Sequence, residues 1–324
     1  MEVRTAGTAD SLRRELVVLS NRLPYTLEAG ADGLRLRPAV SGLVSAVEPV
    51  LRRTGGVWIG WGGRTAAPAG EDPQAREDPQ VLVPPGGPGY RMQEIRIPEP
   101  EFRAYYDGFA NGSLWPLCHQ FVDRASFDPA HWEAYVSVNR RFAAAALPWL
   151  RTGRLAWVHD FHLALVPREL RAQAPGARIA FFWHIPFPPH ELLATLPWAR
   201  ELLAGLLGAD LVAFHTGDYV HNFCRSAERL LGARAEEAGE EAGRIHWQGR
   251  EIRVQALPIG VDWQAFQDLA RSDRVQERAR AIRAAVGTPV ILLGVERLDY
   301  TKGIPERLRP LAVSWSGTPS SRAG

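Results

Sequence analysis

The sequence predicts an α/β protein built on a doubly wound parallel sheet. Six short apolar runs lack the alternating pattern of half-exposed strands, which is typical of parallel strands covered by helices on both faces. These runs span residues 15–22, 56–63, 154–162, 178–186, 209–216 and 290–299. Helical patterns separate them, at residues 41–53, 131–149, 165–173, 190–207, 217–232 and 263–286. This alternation along most of the chain indicates repeated βα units.

The order of these elements also predicts two domains. The stretch LPIGVDWQAF, residues 257–266, has the Pro and Gly punctuation of a crossover between domains. Residues 1–262 are expected to form a complete Rossmann-like domain. Residues 263–309 are expected to form only the first strand and first helix of a second one. Residues 310–324 carry no helical or strand period, and their Ser, Gly, Pro and Arg content predicts a disordered tail.

Composition and charge describe an ordinary globular protein. Of the 324 residues, 46% are hydrophobic and 23% charged, and the formal net charge of +2 gives no reason to expect a nucleic-acid or membrane partner. The two cysteines lack the CxxC spacing of a zinc site, and the N-terminal region lacks the apolar stretch of a signal peptide. The most apolar segment is interrupted by Asp210 and is too short to span a bilayer. We therefore expect a cytoplasmic protein.

Polar residues end five of the apolar runs, which predicts a shared cleft. In doubly wound sheets, ligands bind outside the carboxyl ends of the strands. Each of these residues, taken alone, is better explained by a capping or loop-ordering role. Their coincidence along one edge favours a binding site. They are Asn21 with Arg22, His159 with Asp160 and His162, His184, His215 with Thr216, and Arg297 with Asp299.

The loop after residues 290–295 has the chemistry of a phosphate site. Arg297 and Lys302 lie five residues apart, and Pro305 marks the start of a following helix. Free N–H groups at a helix start favour an anion, and an Arg can hold phosphate oxygens with two parallel hydrogen bonds. The alternative is an ordinary surface ion pair between Arg297 and Glu296 or Asp299.

Candidate ligand contacts also occur in the first half of the chain. Arg22 follows the first strand. Gly42 allows a backbone N–H to approach a ligand closely, although an ordinary helix start is the better explanation of this glycine taken alone. Aromatic side chains near polar positions suit sugar rings, and core packing is the alternative for each of them. These aromatic residues are Trp58, Trp61, Tyr105, Tyr106 and Trp115.

The histidines and Asp160 admit two interpretations. One is a metal site, which the sequence disfavours because the residues come from different strand ends and form no HExxH or similar motif. The other is hydrogen bonding, with Asp160 accepting from a sugar hydroxyl and His184 donating to a developing oxyanion. The residues concerned are His159, Asp160, His162, His184 and His190. We therefore expect no metal.

Nine segments in order resemble the trehalose-6-phosphate synthases, which are retaining glycosyltransferases of the two-domain GT-B fold. They cover most of residues 15–308. The segments are VVLSNRLP, SGLVSAVEP, GVWIGWGG, YYDGFANGSLWPLCH, WVHDFHLALVPREL, RIAFFWHIPFP, FHTGDYVHNF, LPIGVD and VERLDYTKGIPERL.

The resemblance implies transfer of glucose from a nucleotide-glucose donor, typically UDP-glucose, to glucose 6-phosphate, with no cofactor. The product is α,α-trehalose 6-phosphate. On the matching positions, the acceptor and its phosphate would contact Arg22, Trp61, Tyr106, Trp115 and Asp160. The donor would contact Gly42, His184, Arg297 and Lys302.

The resemblance also implies which residues carry the chemistry. Catalysis would fall to Asp160, His184, Arg297 and Lys302, with the two cations stabilising the departing diphosphate. The leaving phosphate takes the proton of the attacking hydroxyl, so no carboxylate nucleophile is needed. This agrees with the absence of a close carboxylate pair of the retaining-glycosidase type from the sequence pattern.

Two departures from the family pattern leave alternatives open. Ser41 stands where the family usually has Gly, and the match breaks near Arg309, which suggests a truncated second domain whose loss would impair the chain alone. Related activities are a glucosylglycerol-phosphate synthase or a pseudo-glycosyltransferase. A non-catalytic module that binds a sugar phosphate is the alternative from another class. The sequence also leaves open a homo-oligomer.

Overall fold

The computed structural model describes residues 16–30, 33–39, 41–66, 81–87, 89–150, 154–288 and 290–317. The chain divides into two compact units, Met1–Gly260 and Val261–Gly324. This division lies two residues from the boundary that the Pro and Gly punctuation predicts.

Ten of the twelve described strands form one sheet. Its order is β10-β11-β12-β9-β8-β7-β1-β4-β6-β5, and β2 and β3 form a separate hairpin. The strands are β1 (Leu16–Arg22), β2 (Tyr25–Gly30), β3 (Gly33–Pro38), β4 (Val57–Ala66), β5 (Val81–Leu82), β6 (Arg91–Pro98), β7 (Leu155–His159), β8 (Arg178–Phe182), β9 (Leu211–Phe214), β10 (Arg234–Glu237), β11 (Ala242–Trp247) and β12 (Arg250–Ala256).

The centre of the sheet is parallel, as predicted. All neighbours from β12 through β9, β8, β7, β1 and β4 to β6 run parallel. The edges differ from the prediction, because β5, β10 and β11 pair antiparallel and make the whole sheet mixed. The strands at this side of the sheet are half-exposed, as β11 and its neighbour β12 are, so a search for continuous apolar runs misses them.

Helices of the first unit cover its parallel strands, and the second unit has helices of its own. They are α1 (Gly42–Thr54), α2 (Glu99–Phe102), α3 (Trp115–Cys118), α4 (Pro129–Leu150), α5 (Val166–Gln173), α6 (His190–Leu193), α7 (Ala199–Leu206) and α8 (Gly217–Ser226) in the first unit, and α9 (Trp263–Arg271), α10 (Asp273–Val286) and α11 (Ile304–Gly317) in the second. Arg103–Leu114 joins α2 to α3 with the wider hydrogen bonding of a π-helix, and Ala227–Leu231 extends α8 in the same way.

Two hydrophobic cores lie on opposite faces of the sheet. Val17 and Leu19 of β1 belong to the larger core, whereas Leu16 and Val18 belong to the smaller one. This follows from the two-residue period of a strand, in which successive side chains point to opposite faces. Because both faces are covered, β1 is apolar from Leu16 to Leu19, and this is why its pattern predicted a buried parallel strand.

The chain order creates a crevice beside β1. From β1 the chain proceeds to β4 and β6 on one side, and then crosses to β7, β8 and β9 on the other. The carboxyl ends of β1 and β7 therefore flank the point where the winding reverses, which is where open α/β sheets bind ligands.

The second unit corrects two predictions. Residues 290–296 form no strand, because no described residue pairs with them and a strand requires a hydrogen-bonded neighbour. Residues 310–317 are helical where a disordered tail was expected, since α11 continues through Pro310 to Gly317, helped by good helix formers such as Leu311 and Ala312. Residues 318–324 of the predicted tail lie outside the described residues.

Candidate active site

Arg22 is the last residue of β1, and its side chain rests on aromatic rings. Its guanidinium carbon lies 5.1 Å from the ring centroid of Trp61 and 5.6 Å from that of Tyr106. Within the described part of the chain no carboxylate forms an ion pair with Arg22, which is exposed. The guanidinium is therefore held by ring faces while its N–H groups stay available to an anion.

Gly60 permits this arrangement. A Cβ atom at Gly60 would lie 2.8 Å from the backbone carbon of Arg22 and 2.8 Å from the nitrogen of Leu23. β4 approaches the end of β1 this closely, and the Leu23 nitrogen donates to the carbonyl oxygen of Trp61 at 2.9 Å. The close approach places Trp61 beside Arg22 in the register of the two strands.

The rings continue as a row from Trp61 across the crevice. Trp61 stacks on Phe102 with centroids 4.0 Å apart, Phe102 stacks on Tyr106 at 5.2 Å, and Tyr106 stacks on His162 at 5.5 Å. Phe102 and the contribution of His162 to this row were missed in the sequence. The spacing of Phe102 and Tyr106, four residues apart on one helix, is the signal that could have found Phe102.

Trp115 is placed near this row by the start of α3. Its ring lies 5.8 Å from that of Phe161 and 4.1 Å from that of His119, and the residue is half-buried. The other two aromatic candidates are core residues, as the alternative interpretation held. Tyr105 is buried and donates to Asn21 Oδ1 at 2.9 Å, and Trp58 is buried and donates to Ser20 Oγ at 2.8 Å.

Asp160 follows β7 in a strained backbone conformation. Its φ of 74° and ψ of 161° fall in a region that is almost exclusive to glycine. The conformation is held by the side chain, whose Oδ1 accepts from the Phe161 nitrogen at 2.9 Å and the His184 nitrogen at 3.2 Å. Burial raises the pKa of Asp160 to about 6, and the two backbone donors oppose that rise. Strain of this kind clusters at functional sites.

Three histidines line the next part of the edge. His159 Nδ1 lies 3.0 Å from His184 Nε2, and the ring of His215 lies 5.6 Å from that of His184. Burial lowers the pKa of all three, and for His184 the pKa falls to about 3, with a further contribution from His215. These rings are therefore neutral hydrogen-bonding groups at physiological pH.

Burial likewise lowers the pKa of His162 to about 3, assisted by the nearby charge of Arg22 and by His184. Its two ring nitrogens are buried and have no hydrogen-bond partner in the described structure. Asp160 Oδ2 is 3.8 Å from His162 Nδ1, too far for a hydrogen bond. His162 is therefore held by its ring faces, between Tyr106 and Phe161.

No group of three or more His, Cys, Asp or Glu residues within the described ranges is arranged to hold a metal ion. His190, the remaining histidine of the sequence analysis, contacts Glu191 at 3.0 Å instead. Both cysteines are buried, and no described helix has the length and apolarity needed to cross a bilayer.

Gly42 is the first residue of α1, and Ser41 caps this helix. The Ser41 hydroxyl oxygen accepts from the Val44 nitrogen at 3.1 Å, so the serine has a structural role at the position where it departs from the family pattern. A Cβ atom at Gly42 would meet nothing within 4 Å. The fold therefore imposes no steric need for glycine here.

In the second unit, Arg297 and Lys302 flank a capped turn. Asp299 Oδ1 accepts from the nitrogen and the hydroxyl of Thr301, each at 2.9 Å, and both cations are exposed. Arg297 Nη2 lies 3.9 Å from Asp299 Oδ2, a loose contact of the kind the alternative interpretation expected. Burial acts to raise the pKa of Asp299, but hydrogen bonds from Thr301 and the two positive charges outweigh it and lower the pKa.

Comparison with known proteins decides the family. A model for glycosyltransferase family 20 matches residues 14–316. The chain belongs to glycosyltransferase family 20. Among curated members, the trehalose-6-phosphate synthase of Mycolicibacterium smegmatis is 41% identical over 313 residues, covering 95% of this chain and 59% of that protein. The enzyme of the same name from Mycobacterium ulcerans is 42% identical over 301 residues, covering 91% of this chain and 58% of that protein.

Solved family 20 structures have the same fold. The α,α-trehalose-phosphate synthase (UDP-forming) of Burkholderia xenovorans, solved in complex with glucose-6-phosphate, aligns with a TM-score of 0.81 at 32% identity, covering 95% of this chain and 63% of that one. An E. coli structure bound with UDP-2-fluoro glucose aligns with a TM-score of 0.79 at 28% identity, covering 95% and 62%. This confirms the predicted GT-B relationship. The chain spans about three fifths of the length of these relatives.

Proposed function

We propose that this chain carries the acceptor site of an α,α-trehalose-phosphate synthase, which transfers glucose from UDP-glucose to glucose 6-phosphate with retention of configuration. The observation that carries the proposal is the exposed Arg22 guanidinium over the rings of Trp61 and Tyr106, at the switch point of the sheet. Such a fork of N–H groups can bind a phosphate with two parallel hydrogen bonds. The glucose-6-phosphate and UDP-2-fluoro glucose bound in the two solved relatives support this assignment.

The acceptor would lie along the row of rings. Arg22 would hold its phosphate, with Tyr106 and Trp115 at the side and Trp61 beneath the guanidinium. Asp160 would accept a hydrogen bond from an acceptor hydroxyl through Oδ2, because its Oδ1 already accepts two backbone N–H groups. The carboxylate would thus orient the attacking sugar.

The donor would contact the four residues that the family resemblance assigns to it. His184, neutral at pH 7, would hydrogen-bond the transferred glucose, and the open space beside Gly42 would admit the donor. Arg297 and Lys302 would neutralise the charge that grows on the departing diphosphate, which is electrostatic stabilisation by groups already in place. The departing phosphate oxygen would take the proton of the attacking hydroxyl, so the proposed step uses no cofactor.

The proposal is tested by binding and turnover measured separately. Calorimetry with the purified chain should show binding of glucose 6-phosphate and no comparable binding of glucose, and UDP release should require both UDP-glucose and glucose 6-phosphate. Equal binding of glucose and glucose 6-phosphate would contradict the acceptor assignment. Turnover with another phosphorylated acceptor in place of glucose 6-phosphate would instead favour a glucosylglycerol-phosphate synthase or pseudo-glycosyltransferase.

A second candidate is a sugar-phosphate-binding module without turnover. It is favoured by the second unit, in which the residues before Arg297 pair with no described strand, so that no sheet supports the diphosphate loop. Binding of glucose 6-phosphate without any UDP release at saturating UDP-glucose would select this candidate.

A further inference from the structure

His159 is the last residue of β7 and contacts His184 across the parallel pair of β7 and β8. His159 is 1% exposed, and in the strand register it lies opposite Phe182, two residues before His184. The two rings are 5.3 Å apart and inclined by 29°, with His159 Nδ1 and His184 Nε2 separated by 3.0 Å. That distance is a hydrogen bond, which carries one proton.

Only two neutral arrangements of this bond exist. In the first, His159 Nδ1–H donates to His184 Nε2, and His159 Nε2 carries a lone pair. In the second, His184 Nε2–H donates, and His159 Nε2 must carry a hydrogen. His159 Nε2 is buried and has no partner among the described residues. A buried N–H without an acceptor is a rarer and costlier situation than an unused lone pair, which favours the first arrangement.

The first arrangement decides what His184 can do. With Nε2 accepting from His159, the single ring hydrogen of neutral His184 must lie on Nδ1. No described residue hydrogen-bonds to that nitrogen, and His184 is only partly buried. The backbone of His184 is held independently by Asp160 Oδ1 at 3.2 Å. His184 is thus fixed at two points, with one N–H left to donate.

We infer that His159 is a positioning residue that holds His184 in the Nδ1–H tautomer, so that His184 donates a hydrogen bond to an oxygen of the donor sugar. The inference deepens the proposed function and rests on it, because that function places His184 beside the donor. His159 itself touches no substrate. It donates a hydrogen bond to one ring nitrogen of His184 and thereby decides which nitrogen carries the hydrogen, as such hydrogen bonds do for histidines in other proteins.

The tautomer is measured directly by long-range ¹H–¹⁵N NMR of the whole chain labelled at histidine. The His184 signals are assigned by their loss in His184→Gln. A hydrogen on Nδ1 of His184 is the expected result, and a hydrogen on Nε2 overturns the inference. This readout requires no ligand, so it stands even if the proposed function fails.

Two matched variants test the consequence for binding. His159→Leu removes the donor, and His159→Asn keeps an amide N–H near the position of Nδ1. UDP-glucose affinity should fall about tenfold in His159→Leu, the effect of one hydrogen bond, and stay within about threefold in His159→Asn. Glucose 6-phosphate affinity should be unchanged in both.

Wild-type UDP-glucose affinity in His159→Leu would overturn the inference. Failure of the wild-type chain to bind UDP-glucose would instead overturn the donor part of the proposed function, and the tautomer spectrum then decides the inference alone. If His159→Leu does not fold, the wild-type spectrum and the His159→Asn variant still decide it.

Discussion

Arg22 and Trp61 are neighbours in the parallel register of β1 and β4, and the guanidinium carbon of Arg22 lies 5.1 Å from the Trp61 ring centroid. The contact places a cation at the carboxyl edge of the sheet without a carboxylate beside it among the described residues. An arginine with a carboxylate partner would already be neutralised, whereas Arg22 keeps its charge for a ligand.

The first prediction concerns the geometry of Arg22. Arg22→Lys keeps the charge but loses the planar fork, so glucose 6-phosphate affinity should fall at least about tenfold, and Arg22→Ala should cost more. Calorimetry measures both. Arg178→Lys, the same change at an exposed position that begins β8, is the control and should bind normally. Equal affinities for the wild type and Arg22→Lys would remove Arg22 from the phosphate site.

The second prediction concerns the strain at Asp160. Because its backbone conformation suits glycine, Asp160→Gly should unfold with a free energy about 1–2 kcal/mol higher than that of Asp160→Ala, although both lose the same carboxylate. Urea unfolding measures the difference. At Glu201, an exposed residue of α7, the order should reverse because alanine is the better helix former. A more stable alanine variant at position 160 would show that the backbone is not strained.

The third prediction concerns acid stability and His162. The pKa of His162 in the folded protein is about 3, below its unfolded value near 6.5, so the unfolded chain binds the proton first as pH falls. The stability that neutral His162 contributes is therefore fully present above pH 6.5 and is lost as the pH falls from 6.5 to 3. His162→Phe preserves the ring stacking and removes this titration.

Urea unfolding at pH 7.5 and 5.0 measures the effect. Between these values the wild type should lose about 2 kcal/mol more than His162→Phe. Asp160 faces His162, and the raised pKa of Asp160 makes its own contribution run the opposite way in both proteins, so the difference between them isolates His162. Identical losses would mean that His162 titrates normally.

The fourth prediction compares the effect of an added Cβ atom at two glycines, Gly42 and Gly56. Gly42→Ala should leave the free energy of unfolding unchanged or slightly higher, since its Cβ meets nothing within 4 Å, yet it should weaken UDP-glucose binding if the donor fills that space. Gly56→Ala should cost at least about 2 kcal/mol, because Gly56 has a φ of +125° and its Cβ would lie 2.2 Å from the Leu16 carbonyl oxygen. Thermal unfolding and UDP-glucose titration give both readouts. A destabilised Gly42→Ala would contradict the open space at α1.

The fifth prediction assigns the two substrates to different cations. Arg297→Lys and Lys302→Gln should each reduce UDP-glucose affinity about tenfold and leave glucose 6-phosphate affinity unchanged, because only the diphosphate faces them in the proposed site. Arg309→Gln, an exposed change on α11, serves as the control. Parallel losses for both substrates would indicate a general electrostatic effect instead.

Much of the fold and part of the site could be read from residue patterns. The continuous apolar runs at β1, β4, β7, β8 and β9 are strands of the parallel core, since burial on both faces leaves this local signature. Their polar ends predicted Arg22, Asp160 and His184 at one edge, because parallel strands end together. Two strands are shorter than the predicted runs 154–162 and 178–186. They end at His159 and Phe182, because the chain turns where its hydrogen bonds to the neighbouring strand end.

Other features arise only from contacts between distant parts of the chain. Trp61 and Trp58 look alike in sequence, yet one supports Arg22 and the other is buried against Ser20. The tautomer of His184 depends on His159, which a different strand supplies, and residues 290–296 carry a strand pattern but have no described partner to pair with.

Residue order thus established the family, the parallel core and the chemistry of the candidate side chains. Three-dimensional packing determines which aromatic residues face the crevice, which histidine nitrogen donates, and which apolar run forms a strand. The reason is that local patterns report how deeply a segment is buried, whereas hydrogen-bond partners and ring contacts depend on neighbours that the linear chain does not specify.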